Sequence, residues 1–197
     1  SFHLPANLPW VRVTLMAGDI DIKVDESLSE PVVSGKAKVV KEGNDFVIKM
    51  GAEKTGDSFG DMINGFIGKF GDLDISVPLG YGVDINSKAG DIDIRDVPFL
   101  KGKMLAGDID AKNIGGADVS LSAGDIDISL RPISGEHRIT ATAGDVDITL
   151  LEGSSVHLEG SVSMGDFEVR GFEVKENKGM TGGGFSGRIG DGKATLN

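Results

Sequence analysis

Carboxylates recur in pairs along this chain, two residues apart and always just after a glycine. The pairs are Asp19/Asp21, Asp91/Asp93, Asp108/Asp110, Asp125/Asp127, Asp145/Asp147 and Asp166/Glu168. Ca²⁺ takes about 6–8 oxygens at roughly 2.3–2.6 Å and often bridges carboxylates. That makes Asp91, Asp93, Asp108, Asp110, Asp125, Asp127, Asp145 and Asp147 candidate calcium ligands. Paired carboxylates also serve as acid and base in glycoside hydrolysis. A catalytic pair, however, is one pair in a cleft, and six alike in a row point away from an enzyme. His3, His137 and His157 are scattered, with no nucleophile pattern beside them. Phosphate loops, dinucleotide fingerprints and metalloprotease motifs are missing from the sequence, so no cofactor other than calcium is expected.

Each pair has a structural alternative. The first acid stands at a glycine corner, where Asp readily accepts hydrogen bonds from backbone N–H groups. The second lies inside a strand, where Asp is unfavourable, and no packing reason accounts for it. Equivalent residues on stacked strands lie ~4.7–4.9 Å apart. Two carboxylates at that range repel by roughly 1 kcal/mol in water and ~3–4 kcal/mol at an effective dielectric of 20. Something must offset this. Cations could, and so could Lys23, Arg95, Lys112 and Arg170, which each closely follow a motif.

The elements that hold the acids follow from the repeat. Each copy reads small or Met, Gly, Asp, apolar, acid, apolar or small, with glycines at Gly18, Gly90, Gly107, Gly124, Gly144 and Gly165. From Gly90 the steps are 17, 17, 20 and 21 residues. A unit that short cannot bury its own apolar face and must stack on its neighbours. The expected fold is therefore all-β, a single-domain β-solenoid of the β-helix or β-roll kind with about six to eight coils.

In Gly-Asp-Ile-Asp-Ile the isoleucines share one strand face and the acids the other. Ile20, Ile22, Ile92, Ile94, Ile109, Ile126, Ile128, Val146, Ile148, Phe167 and Val169 should form an internal ladder. The apolar residue before each corner precedes the next inward one by five, as Leu15 does Ile20 and Leu121 does Ile126. An odd step flips the inward parity, as at a bulge or corner.

The remaining spans divide as follows. Residues 10–51 hold the first coil and a β-hairpin, Val32–Val40 with Phe46–Met50 around Glu42-Gly43-Asn44. Residues 52–70 form a short, apolar, Gly-rich amphipathic insert, with Phe59, Met62, Ile63, Phe66, Ile67 and Phe70 at helical spacing. It either covers one end or face of the solenoid or docks on a membrane or partner; Lys69 as its lone basic residue counts against anionic lipid. Residues 71–177 carry the repeat coils, and 178–197 a Gly-rich terminal coil or cap. Gly71-Asp72-Leu73 looks like a seventh copy but fails the five-residue test, because Gly68 stands where an apolar residue should be. Leu73–Val77 is read instead as a strand ended by Pro78.

Composition narrows the partners. Of 31 acids, 12 lie in the motifs, leaving 19 against 20 Lys and Arg, so the net charge of −11 belongs to the motifs. An acidic face repels nucleic acid. No apolar run approaches the ~20 residues of a membrane-spanning helix. The chain has no Cys, which excludes disulfides and thiolate metal sites. It begins at Ser1 rather than Met and is expected to be a piece of a longer chain, in which any signal peptide or anchor would already be missing.

The unit from Leu73 to Ser129 resembles the bacterial adhesin-like domains of the DUF4097, or toast-rack, family. The resemblance rests on a strand ending in Pro-x-Gly, here Val77-Pro78-Leu79-Gly80, and on Gly-Asp-Ile-x-Ile units such as Gly90-Asp91-Ile92-Asp93-Ile94. It implies a role at the cell envelope and carries over no catalytic residue. This chain departs from the family in its regular second acid and in its apolar insert. The expected function is a non-catalytic, envelope-associated scaffold or adhesin-like binding domain with a repeated acidic surface and a protein or envelope partner of basic character. The alternatives are a self-assembling filament that associates end to end and a calcium-binding β-roll. The envelope or another extracytoplasmic site is favoured, with the cytoplasm left open.

Overall fold

The computed structural model describes residues 7–35, 37–50, 70–131, 135–151, 156–171, 180–181, 184–189 and 194–196. The described chain is β-structure throughout, as the repeat requires. Five coils each consist of a strand, a glycine corner and a second strand. They are β1 (Trp10–Ala17) with β2 (Ile20–Val24), and, further along, β7 (Gly82–Ala89) with β8 (Ile92–Arg95), β9 (Leu100–Ala106) with β10 (Ile109–Ile114), β11 (Ala117–Ala123) with β12 (Ile126–Leu130), and β13 (Gly135–Ala143) with β14 (Val146–Leu150). A sixth, β15 (Val156–Met164) with β16 (Asp166–Gly171), follows the same plan.

First strands pair in parallel in one sheet and second strands in parallel in the other. Between the sheets lies the core. Every residue of the expected apolar ladder is at most 3 % exposed. The parity flip holds as well: Val11, Val13 and Leu15 point inward before the corner, Ile20 and Ile22 after it. Where a large residue enters the ladder, its opposite shrinks. A Cβ on Gly160 would lie 2.2 Å from the Phe167 ring.

A seventh coil corrects the reading of Gly71. The hairpin strands β4 (Ala37–Glu42) and β5 (Asp45–Met50) pair antiparallel around Gly43-Asn44, and β5 also pairs in parallel with β1. The short strand β3 (Val32–Val33), expected in that hairpin, pairs instead with β6 (Leu73–Val77) in the other sheet. Strand β6 pairs in register with β2, and Phe70 bridges Ala17, so Gly71 stacks on Gly18 as a full member of the corner column. The five-residue test missed it because residues 51–69 interrupt this coil between its first strand and its corner. Met50, two residues beyond Ile48 (the partner of Val13), takes the place that Leu15 holds one coil along. The amphipathic stripe read between 52 and 70 falls outside the described residues, apart from Phe70.

The coils do not stack in the order of the sequence. In one sheet the order runs β5, β1, β7, β9, β11, β13, β15, and in the other β6, β2, β8, β10, β12, β14, β16. The first coil of the chain thus sits between the coil β5/β6 and the coil β7/β8. At the ends, the terminal segment supplies β17 (Met180–Thr181) and β18 (Gly184–Ile189), antiparallel to β16 and β15, while β19 (Ala194–Leu196) runs beside the start of β13. With β3 and β4 at the other end, all four sheet edges finish in an antiparallel strand. The terminal segment is thereby a cap, which a stack of coils requires.

Candidate functional site

The acids take their places from the corner column. The glycines at 71, 18, 90, 107, 124, 144 and 165 all have φ between +128° and +144°, a backbone region essentially reserved for glycine. Space gives a second reason. A Cβ on Gly107 would fall 1.7 Å from the carbonyl oxygen of Gly90, and the same approach repeats up the column. Backbone therefore lies directly on backbone, with the Gly124 N–H donating to the Ala143 carbonyl at 2.9 Å and its counterparts doing likewise.

The first acid completes this column. The Asp91 N–H donates to Asp19 Oδ1, Asp108 to Asp91, Asp125 to Asp108, Asp145 to Asp125 and Asp166 to Asp145, at 2.9–3.0 Å. Asp72 extends the ladder by accepting from the Asp19 N–H. Turn chemistry thus accounts for the first acid, although the N–H it holds belongs to the neighbouring coil. Each such bond has an ionised acceptor, which roughly doubles its strength over a neutral one.

The second acid forms a different row. Asp74, Asp21, Asp93, Asp110, Asp127, Asp147 and Glu168 stand side by side on successive parallel strands, in exact register. Basic residues one step along the strands offset part of this charge. Lys112 bridges Asp110 at 3.4 Å and Asp127 at 3.1 Å, Arg170 bonds Asp147 at 2.7 Å, and Arg95 lies 3.6 Å from Asp93. Partial burial would lower the Lys112 pKa, but the Asp127 and Asp110 carboxylates outweigh it and hold the ammonium above its ordinary value. The hydrogen bond to Asp147 likewise raises Arg170. Toward the insert end the offset stops. Among the described residues, neither Asp21 nor Asp74 has an ion-pair partner. An open cleft of about 350 Å³ there is lined by Asp19, Asp21, Asp72, Asp74, Asp91 and Asp93, with Ile20 and Leu73.

The opposite face gives the comparison that matters. There Arg12, Asp84, Lys101, Asp118 and Arg138 also stand side by side, but their signs alternate. Asp45 continues the row through its bond to Arg12. Burial raises the Asp118 pKa, against the pull of Arg138 and Lys101. Burial acts on Asp45 too, but the Arg12 guanidinium and the Trp10 N–H overcome it and hold that carboxyl below the usual range. Sequence reading missed this row because its members fall at unequal intervals with no motif around them. One face of the stack therefore neutralises itself, and the other presents an uninterrupted line of acids.

The candidate calcium ligands divide between these two roles. Asp91, Asp108, Asp125 and Asp145 each hold a neighbouring N–H, and Asp93, Asp110, Asp127 and Asp147 make up the row, each within an ion pair. No three His, Cys, Asp or Glu side chains converge to hold a metal among the described residues. No helix among them is long and apolar enough to cross a membrane.

Neither the curated proteins nor the solved structures contain a match. The family model described as Toastrack DUF4097 matches residues 82–195, from the start of β7 into β19 and more than half of the chain. With its glycine corners, parallel coils and stacked cores, the chain belongs to the Toastrack DUF4097 family.

Proposed function

We propose that this protein is a non-catalytic, envelope-associated bacterial scaffold that docks a basic partner along its acidic row. The observation that carries the reading is the contrast between the two faces, since a protein that only needed solubility would have no reason to segregate its charge. A line of carboxylates at strand spacing, half offset by Lys112, Arg170 and Arg95, retains a negative field that attracts Lys- and Arg-rich segments and speeds their encounter. The antiparallel strands that end both sheets support a discrete particle over an end-to-end filament, because they break the parallel register on which a further coil would stack.

A fluorescent Lys-rich peptide tests the reading. Its binding should weaken steeply as NaCl rises and should fall at least tenfold on changing Asp93, Asp110 and Asp127 together to Asn, with the fold retained. Equal affinity for the triple variant would overturn the docking site. Ca²⁺ that raises the melting temperature more than NaCl of matched ionic strength, in the parent but not in the triple variant, would favour the calcium reading. Sedimentation that shows open-ended growth would favour the filament.

A further inference from the structure

The first coil of the chain is held entirely by segments that come later in the sequence. Strand β1 pairs with β5 from Val11 to Val13 and with β7 from Trp10 to Ala17; β2 pairs with β6 from Ile20 to Val24 and with β8 from Ile20 to Ile22. Its inward residues Val11, Val13, Leu15, Ile20 and Ile22 are at most 1 % exposed. The covalent link from this coil to all of its neighbours runs through Asp25–Pro31, between β2 and β3. Independently of the proposed docking role, we infer that the slot between the coils β5/β6 and β7/β8 accepts the first coil of a second copy of this chain, so that two chains can exchange first coils reciprocally and close into a dimer.

Three features of the slot restrict the occupant. Two strand spacings, ~9.5 Å, separate its walls, which is room for one coil and no more. At the corner, a Cβ on the occupant's glycine would meet the Gly71 oxygen, and a Cβ on Gly90 would meet the oxygen of Gly18, so a glycine is required. The next residue must accept the Asp91 N–H while donating its own N–H to Asp72, as Asp19 does. A first coil from another copy meets all three requirements and restores the strand pairing and the buried side chains of the coil it replaces. Strand exchange of this kind conserves the contacts and shifts only concentration and hinge terms. The hinge can extend to at most ~25 Å over its seven residues, once the bonds that tie the Asp25 N–H to Val77 and its carboxylate to Ser27 are released. Exchange requires both flanking coils to open, so it belongs to folding and not to the folded state.

The chain has no cysteine, which allows a clean test. Exposed Thr14 and Asn86 are register partners across the β1–β7 boundary. A full-length Thr14→Cys chain and a full-length, tagged Asn86→Cys chain are unfolded, mixed and refolded under mild oxidation. The concentration is near the ~1 mM effective concentration of a short tether. Exchange yields a covalent dimer carrying one of each chain, formed at least tenfold less when the two proteins are folded separately before mixing. Equal yield from pre-folded proteins means surface collision and overturns the inference. A double Thr14→Cys, Asn86→Cys chain shows whether the geometry permits the bond. If it does not close, the parent chain decides through light scattering after refolding. A dimer that persists on dilution supports exchange, and monomer at every refolding concentration refutes it.

Discussion

Replacing Gly124 by Ala tests the corner column from within. Two separate costs arise. The residue sits at φ +136°, and holding a non-glycine residue in so sparsely populated a region costs ~1–3 kcal/mol. The added Cβ would also lie 1.7 Å from the Gly107 oxygen, so two coils must part by more than an ångström. Wedging a well-packed stack in this way costs ~1–3 kcal/mol. The bond from the Asp125 N–H to Asp108 weakens as the coils separate. Together these predict a loss of about 2–6 kcal/mol. Gly80 supplies the control, because it too has positive φ (+88°) but nothing within 4 Å of its would-be Cβ. Gly80→Ala should carry only the conformational cost, ~1–2 kcal/mol. Urea unfolding of the two variants beside the parent, with the slopes checked for equality, measures the difference. If Gly124→Ala unfolds within ~1 kcal/mol of Gly80→Ala, backbone stacking is not what excludes side chains from the column.

Asp108→Asn keeps an acceptor for the Asp125 N–H but gives up its charge, so a weaker bond and a relieved repulsion oppose each other and stability should change by less than ~1 kcal/mol, whereas Asp108→Ala should lose ~0.5–1.5 kcal/mol in the same assay. Ser87 is buried in register with Leu15 and Met104, and its hydroxyl has no hydrogen-bond partner among the described residues; Ser87→Ala should therefore raise the urea midpoint, and a lower one would show a hidden partner. Ile126→Asp should cost several kcal/mol by placing an unpaired charge in the core; a variant that melts like the parent would refute the inward assignment. Asp45 has its pKa lowered on folding, so its stabilising contribution is complete above about pH 4 and disappears as pH falls through the depressed value. Asp45→Asn should accordingly lower stability near neutrality and flatten its acid limb, and parallel pH profiles for variant and parent would count against the Arg12 pairing.

The coil plan was readable because two local rules coincide at every corner. Glycine marks the turn and the five-residue step marks the change of face, so Leu15 with Ile20, or Leu121 with Ile126, places both strands without any tertiary information. Both rules are local, and that is why they failed at Gly71, where residues 51–69 separate Met50 from the corner it belongs to. The order of the coils was not legible either. A periodic sequence fixes what each unit looks like but does not say which unit lies on which, and β1 is indifferent to whether its neighbour comes next in the chain. At the acidic site, sequence reading separated the roles of Asp19 and Asp21 by position, and of the four cations it named, Arg95, Lys112 and Arg170 meet the row while Lys23 has no ion-pair partner among the described residues. It could not reveal that the first acid bonds across coils, because that depends on the 17- to 21-residue steps closing in register.

The place of the first coil also governs how the molecule bears load. A pull on the chain ahead of Trp10, directed along the strand, strains both ladders of β1 together, so its hydrogen bonds must shear as a set. A pull from the far end meets β19, three residues long, whose ladders to the starts of β13 and β15 hold far fewer bonds and yield at a lower load. The same stack is thus mechanically polar, stiff when held by its first coil and compliant when held by its last.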